Sequence, residues 1–398
     1  MAESKLDLLD KLQGKVEISD DEVSKEALSD DFKDVGSVTL PDSVDYLEFD
    51  TSVLLSYLLP FISKKSVTKM VISRSLRITL MSDTSAKFEM CEGVSLMSCV
   101  VPCRNNHFPN HKIIDAETFY RVARVHKGKV YLIHRKPEVF VDFFGGEIYI
   151  PTFNLDANIY TSRMVSGSPT SQGVIKTPDL LSSIQSISPI LSFVEISDFD
   201  YIFVEPDGIY ACNGTVVGRI KQEYFPVIIR RSDITLIQSI LAVIGNADLE
   251  IFAYDQKYFL TSDKFSYVFP KTNVQFVGQY KTAFVKGSGS YFVNMPFLTS
   301  QVNTLSGIPE SSGVVDLVFG KDSLKGVFRN RRGDVSNFTI SEKVEGITSE
   351  AIFGVSLKTL AVIIRVFKGD AFVSVSFIND KVVFSAGNKE CVIITKKN

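Results

Sequence analysis

Residues 354–396 read GVSLKTLAVIIRVFKGDAFVSVSFINDKVVFSAGNKECVIITK. Through Lys368 the apolar residues recur at helical spacing, with Leu357, Leu360, Ala361 and Ile364 on one face. Gly369 ends that pattern, as a residue free to turn left-handed does at a helix C-terminus. Beyond it Ala371, Val373, Val375 and Phe377 alternate with Phe372, Ser374, Ser376 and Ile378, the period of a strand. Two more short alternating runs complete the stretch. The same order of helix, stop and three strands reads out of 115–152 (DAETFYRVARVHKGKVYLIHRKPEVFVDFFGGEIYIPT) and 231–272 (RSDITLIQSILAVIGNADLEIFAYDQKYFLTSDKFSYVFPKT). The stops are Gly128, Asn246 and Gly369, separated by 118 and 123 positions. That is the spacing of domains.

A weaker set lies between these copies, at 50–82, 177–214 and 293–330, each reading as a helix, a loop and paired strands. In the middle one Leu180, Leu181, Ile184 and Ile187 make one apolar stripe. Gly, Ser and Pro concentrate at 161–173 and 281–290, which read as linkers. The expectation is an α+β chain with an acidic, flexible N-terminal extension at 1–44 and three tandem domains at 45–163, 164–285 and 286–398. Each domain holds a duplicated helix-plus-strands unit.

Composition bounds the function. At 398 residues, 45% hydrophobic and with 30 Phe, the chain has enough apolar mass for several cores. No apolar run approaches the ~18 residues needed to cross a bilayer, and the polar, acidic start does not read as a secretory signal. Five sparse cysteines argue for a reducing, cytoplasmic compartment and against a disulfide framework. Residues 1–36 carry 5 Lys against 11 Asp or Glu, leaving 38 basic and 35 acidic side chains in the rest. An acidic arm therefore precedes a mildly basic body, too weakly charged to grip nucleic acid by charge alone.

Four local stretches, taken in order, add a resemblance. They are ITLMSDTSAKFEM (78–90), FPN (108–110) ahead of a helix beginning at Asp115, IYACNGTVVG (209–218) and the terminal CVIITKKN (391–398). With the repeat, they make residues 45–398 resemble the bacterial and phage β-type DNA polymerase sliding clamps. The resemblance implies three clamp domains forming half of a closed ring, completed head to tail by a second copy, with helices inside and sheets outside. It also implies a non-enzymatic role without a cofactor: encircling duplex DNA and tethering a DNA polymerase, with no sequence preference. A weak positive charge suits that work, because enclosure rather than contact energy sets residence and strong phosphate contacts would impede sliding.

Under that resemblance the helices at 115–127 and 355–368 face the duplex. In the first, Ala116, Phe119 and Ala123 pack, leaving Arg121, Arg124 and Lys127 outside; in the second, Lys358, Arg365 and Lys368 are left outside. These six are the expected phosphate contacts. The middle domain differs: helix 232–244 offers Thr235, Gln238 and Ser239, and helix 178–187 offers Ser182, Ser183 and Gln185, with no cation.

The resemblance also implies an apolar cleft between the second and third domains that takes short peptides of the polymerase and the clamp loader. Its residues would be Gly214, Thr215 and Val217 of the Asn213–Val217 turn, Leu249, and the terminal Val392 and Ile394. Thr215 and Val216 stand where the family has His and Arg. In the acidic arm, Lys5-Leu6-Asp7-Leu8-Leu9 matches all but the first position of the family's partner peptide. Leu6, Asp7, Leu8 and Leu9 could thus dock into a cleft in competition with partners.

No P-loop, GxSxG, HExxH, GxGxxG or EF-hand pattern occurs. Cys99, Cys103, His107 and His111 have zinc-favoured types, but the gap between the pairs is far shorter than a finger loop, so a structural loop is expected. The run Arg329-Asn330-Arg331-Arg332-Gly333-Asp334 reads as an exposed hairpin turn. Alternatives to a replication clamp are a β-rich virion or assembly protein, a clamp serving viral transcription, and an enzyme, for which four His without catalytic spacing give little basis.

Overall fold

The computed structural model describes residues 43–63, 71–143, 146–193, 200–276, 278–285, 287, 289–308, 311–330, 335–342, 344–346 and 350–395. Six times the chain repeats one order: a strand, a helix that follows it without a loop, and three more strands. The first unit is β1 (Asp45–Asp50), α1 (Thr51–Ser63), β2 (Ser75–Ser82), β3 (Ser85–Glu92) and β4 (Ser95–Pro102). After the short β5 (Arg104–Asn106), the second is β6 (His111–Asp115), α2 (Ala116–Ala123), β7 (Lys129–Arg135), β8 (Glu138–Phe143) and β9 (Gly146–Ile150). The third is β10 (Ser171–Lys176), α3 (Thr177–Ile187), β11 (Tyr201–Glu205), β12 (Gly208–Cys212) and β13 (Val216–Ile220). The fourth is β14 (Val227–Arg230), α4 (Arg231–Ile244), β15 (Asp248–Ala253), β16 (Lys257–Thr261) and β17 (Phe265–Pro270).

The fifth is β18 (Gly289–Asn294), α5 (Met295–Ser306), β19 (Ser311–Phe319), β20 (Leu324–Asn330) and β21 (Val335–Ser341). After β22 (Val344–Gly346) comes the sixth: β23 (Ala351–Ser356), α6 (Leu357–Val366), β24 (Phe372–Ile378), β25 (Lys381–Ala386) and β26 (Lys389–Ile394). Of the run expected as a hairpin turn, Arg329 and Asn330 end β20, and 331–334 lie outside the described residues.

The leading strands, absent from the sequence reading, exchange partners. β1 pairs with β7 and β6 with β2. β10 pairs with β15 and β14 with β11, while β18 pairs with β24 and β23 with β19. Each unit thus lends its first strand to its neighbour, and the six units lock into three pairs. The last strand residue doubles as the helix N-cap: Asp50, Asp115, Asn294 and Ser356 each accept from the amide three residues on. Lys176 and Arg230 hold that place without a side-chain cap.

The pairs are sewn together by sheet. β4 pairs with β17 and β13 with β26, giving one eight-stranded and one nine-stranded sheet. The helices lie in one row against the sheets. They pack within pairs (α1 on α2, α3 on α4, α5 on α6) and between pairs (α1 on α4, α3 on α6). Leu, Ile, Val and Phe from both layers form one continuous core.

Several sequence expectations need correction. The left-handed stop after α4 is Gly245, at φ 73°, not Asn246. On α6 the buried set is Leu357, Leu360, Val362, Ile363 and Val366, wider than one stripe, because the helix packs on its sheet and on two neighbouring helices; Ala361 and Ile364 are half-buried. Ser183 is buried, sharing a 2.8 Å hydrogen bond with the Tyr224 hydroxyl, rather than exposed. Gln238 and Ser239 are half-buried. The linker proposed at 161–173 already contains the start of β10.

Candidate functional site

Arg121, Arg124, Lys127, Lys358, Arg365 and Lys368 are all exposed. Arg121, Lys358 and Arg365 lie on their helices, Arg124 caps the C-terminus of α2, and Lys127 and Lys368 stand in the turns beyond. Two turns of backbone carbonyls therefore end among cations, a favourable placement for both. Arg121 is bound to Glu117 one turn back. The structure thus gives two clusters of three, one per helix.

The second expected site divides. Asn213 builds its turn: its side-chain oxygen accepts from the Thr215 and Val216 amides at 3.1 and 2.7 Å, and its amide group donates to the Ile190 carbonyl. Gly214 takes φ 87°, in the left-handed region that favours glycine. The strand that follows lies against β26, with Val217 opposite Val392, and the Ile394 amide donates to the Thr215 carbonyl at 2.9 Å. Val216, Cys391 and Ile393 enter the core, so Val217, Val392 and Ile394 project from the other face of the sheet. Leu249 is not with them. It is the second residue of β15 in the eight-stranded sheet, buried beside Ile237, Ile240 and Leu241 of α4.

Residues 278–285 come to that outer face instead. A one-turn helix, Gly278–Lys281, leads to Ala283 and Phe284, which pack with Val392 and Val383. Val217 and Val392 are 0% exposed, so the expected cleft is roofed there, with Ile394, Thr215 and Gly214 at its rim. Nothing in the Gly- and Ser-rich stretch at 281–290 marked it as a roof; Ala283 and Phe284 look like linker until Val392 is seen beneath them. Leu6, Asp7, Leu8 and Leu9 lie outside the described residues, as does the rest of the acidic extension through 42.

The same face carries a charged knot. Arg219 of β13 donates from Nε to the Glu390 carboxylate of β26 at 3.1 Å, and from Nη2 as well, while Lys221 reaches its other oxygen at 2.6 Å. The Arg219 guanidinium lies 4.4 Å from the centre of the Phe284 ring. Burial disfavours the Glu390 charge, but the hydrogen bonds from Lys221 and Arg219 outweigh it and hold the carboxyl below the ordinary glutamate value of 4.5. Such a carboxylate stabilises fully above its unfolded-state pKa, and that contribution fades as pH falls through the lower folded value. The thermal stability of the parent should therefore fall below about pH 5, and the acid slope should be shallower in Glu390→Gln. Identical acid slopes would remove Glu390 as a source.

Cys99, Cys103, His107 and His111 do not converge. Cys99 is buried in β4, while His107, at φ 56°, bridges to Tyr46 and His111 opens β6 on the surface. Among the described residues no group of three His, Cys, Asp or Glu side chains is placed to hold a metal ion. Among them, too, no helix is long and apolar enough to cross a membrane.

The paired units, the single row of helices and the sheets joined at third strands define a sliding-clamp fold. Solved bacterial clamps share it. The chain is similar to the C. crescentus beta sliding clamp (TM-score 0.75, 13% identity), with 89% of this chain and 100% of that one covered. It is equally similar to the DnaN clamp, DNA polymerase III subunit beta, of Bartonella birtlesii bound to griselimycin (TM-score 0.76, 14%), and to the DNA polymerase III subunit beta of Pseudomonas aeruginosa (0.75, 12%), at the same coverage. No protein-family model and no curated protein sequence matches the chain. At these identities the likeness is one of fold.

Proposed function

We propose that this protein is a DNA sliding clamp, a non-enzymatic ring that encircles duplex DNA and tethers a DNA polymerase. One observation carries the reading. Inside the chain, each boundary between pairs joins a third strand of a first unit to a third strand of a second unit, β4 to β17 and β13 to β26. By that rule the third strands left over are β9 and β21, which form free sheet edges among the described residues. Open edges of this kind need a partner, and a second copy supplies it: β9 of one protomer on β21 of the other, twice, closes a two-fold ring. The pairs are then clamp domains, at 45–163, 164–285 and 286–398. Two such chains place twelve helices around the bore.

Within this reading, Arg121, Arg124, Lys127, Lys358, Arg365 and Lys368 meet phosphates, and the rim of Gly214, Thr215 and Ile394 over Val217 and Val392 receives peptides of the polymerase and clamp loader. Ala283 and Phe284 replace Leu249 in that cleft. The test is topological. Loaded on nicked circular DNA, the protein is expected to stay bound through a high-salt wash and to leave when the circle is cut. Dissociation that ignores the cut would overturn the proposal and favour an assembly protein.

A further inference from the structure

We infer that the encircled duplex is held chiefly at two opposite arcs of the bore, each astride a boundary between the two subunits, and crosses the arcs between over helix faces that, among the described residues, carry no cation past their first residue. This rests on the ring reading above. The helix packing sets the order along one protomer as α2, α1, α4, α3, α6, α5, after which the partner's row begins again. Two of the six helices gather cations in threes along the exposed face and just beyond the C-terminus. α2 and its turn present Arg121, Arg124 and Lys127, and α6 and its turn present Lys358, Arg365 and Lys368.

Past their first residue, the described exposed faces of the other four are neutral or acidic, while Lys176 and Arg230, at the N-caps of α3 and α4, and Arg231 stand at the helix starts. α1 shows Ser52, Ser56 and Leu59; α5 shows Phe297, Ser300, Asn303 and Thr304. α3 shows Asp179, Ser182 and Gln185, and α4 shows Ser232, Thr235 and Ala242. Arg231, at the start of α4, lies 3.7 Å from the Asp200 carboxylate. Around the closed ring, α6 and the partner's α2 flank one neutral helix across each boundary. Through the body of each protomer, three helices without such a cluster separate α2 from α6.

The consequence follows from charge. Arg124, Lys127, Lys358, Arg365 and Lys368 take part in no ion pair among the described residues, whereas Glu117 offsets Arg121. Phosphates gain from approaching such cations through counterion release, an effect that added salt weakens. Hydroxyl and amide faces offer no such pull, and Asp179 repels. A duplex narrower than the bore would settle on the four cationic helices grouped at the two boundaries. The hydroxyl-lined arcs would serve as clearance.

The test uses full-length protein loaded on nicked circular DNA. Photoreactive benzoylphenylalanine replaces, one at a time, Val125 beside Arg124, Lys358, Thr235 or Ser182. Crosslinks to DNA should form several-fold more often at Val125 and Lys358 than at Thr235 and Ser182, and high salt should level the four yields. Rings retained until the circle is cut, yet crosslinking equally from all four sites at low salt, would overturn the inference and leave the ring intact. Highest yields from Thr235 would do the same. Rings that fail to stay on uncut circles would overturn both.

Discussion

Of the variants Ser336→Pro and Asn337→Pro, one is expected to migrate at half the parent's assembled mass and to stay on no DNA circle. Both positions are exposed on β21, so neither change removes core contacts. Neighbouring residues of a strand aim their N–H groups at opposite edges, and β21 pairs with β20 along one edge only. One proline therefore deletes an amide from the internal ladder, and the other deletes one from the free edge, where proline is tolerated within a folded sheet. The variant that keeps the parent's unfolding midpoint is the informative one. Its mass in solution and its retention on a nicked circle should fall together. A stable dimer from that variant would exclude β21 as the closing edge.

Glu390→Ala is expected to cost about 3–5 kcal/mol, the range for breaking a buried ion pair from one side. The side chains of Glu390 and Arg219 are 9% and 18% exposed, so the pair is screened little by solvent. Lys221, at 47%, adds less. Removing the carboxylate leaves the guanidinium under Phe284 without its acceptor. Arg219→Met with Glu390→Leu removes both charges and should recover most of the loss. Because several cores need not melt together, denaturant unfolding is best read with amide exchange, and protection should drop first in β13 and β26. A cost under about 1 kcal/mol would class the knot with solvated surface pairs.

How much of this was legible follows from particular residues. The strands after α6 were plain because Val373 and Val375 alternate with Ser374 and Ser376, and both valines are buried. The leading strands were not, since four to six residues that run straight into a helix leave no turn to mark where they end. β14, VIIR, illustrates the difficulty: it is short, and its cap position holds an arginine. The cationic faces of α2 and α6 could be read because one exposed side of a helix repeats every third or fourth residue. The burial of Ser183 could not, because it depends on Tyr224, 41 positions away. Leu249 was misplaced for the same reason: an apolar strand residue does not declare which of two sheets it will join.

The exchanged leading strands limit how the chain can be divided. A fragment ending after β4 would contain β1 without β7 to receive it and β2 without β6 to border it, so two edges would stand bare. The smallest piece that keeps each exchanged leading strand with its partner runs from β1 through β9, or from β10 through β17, or from β18 through β26. Split-protein reporters and truncations should therefore be cut at the connections between those pieces, and an isolated unit would be expected to seek its missing strand from another molecule.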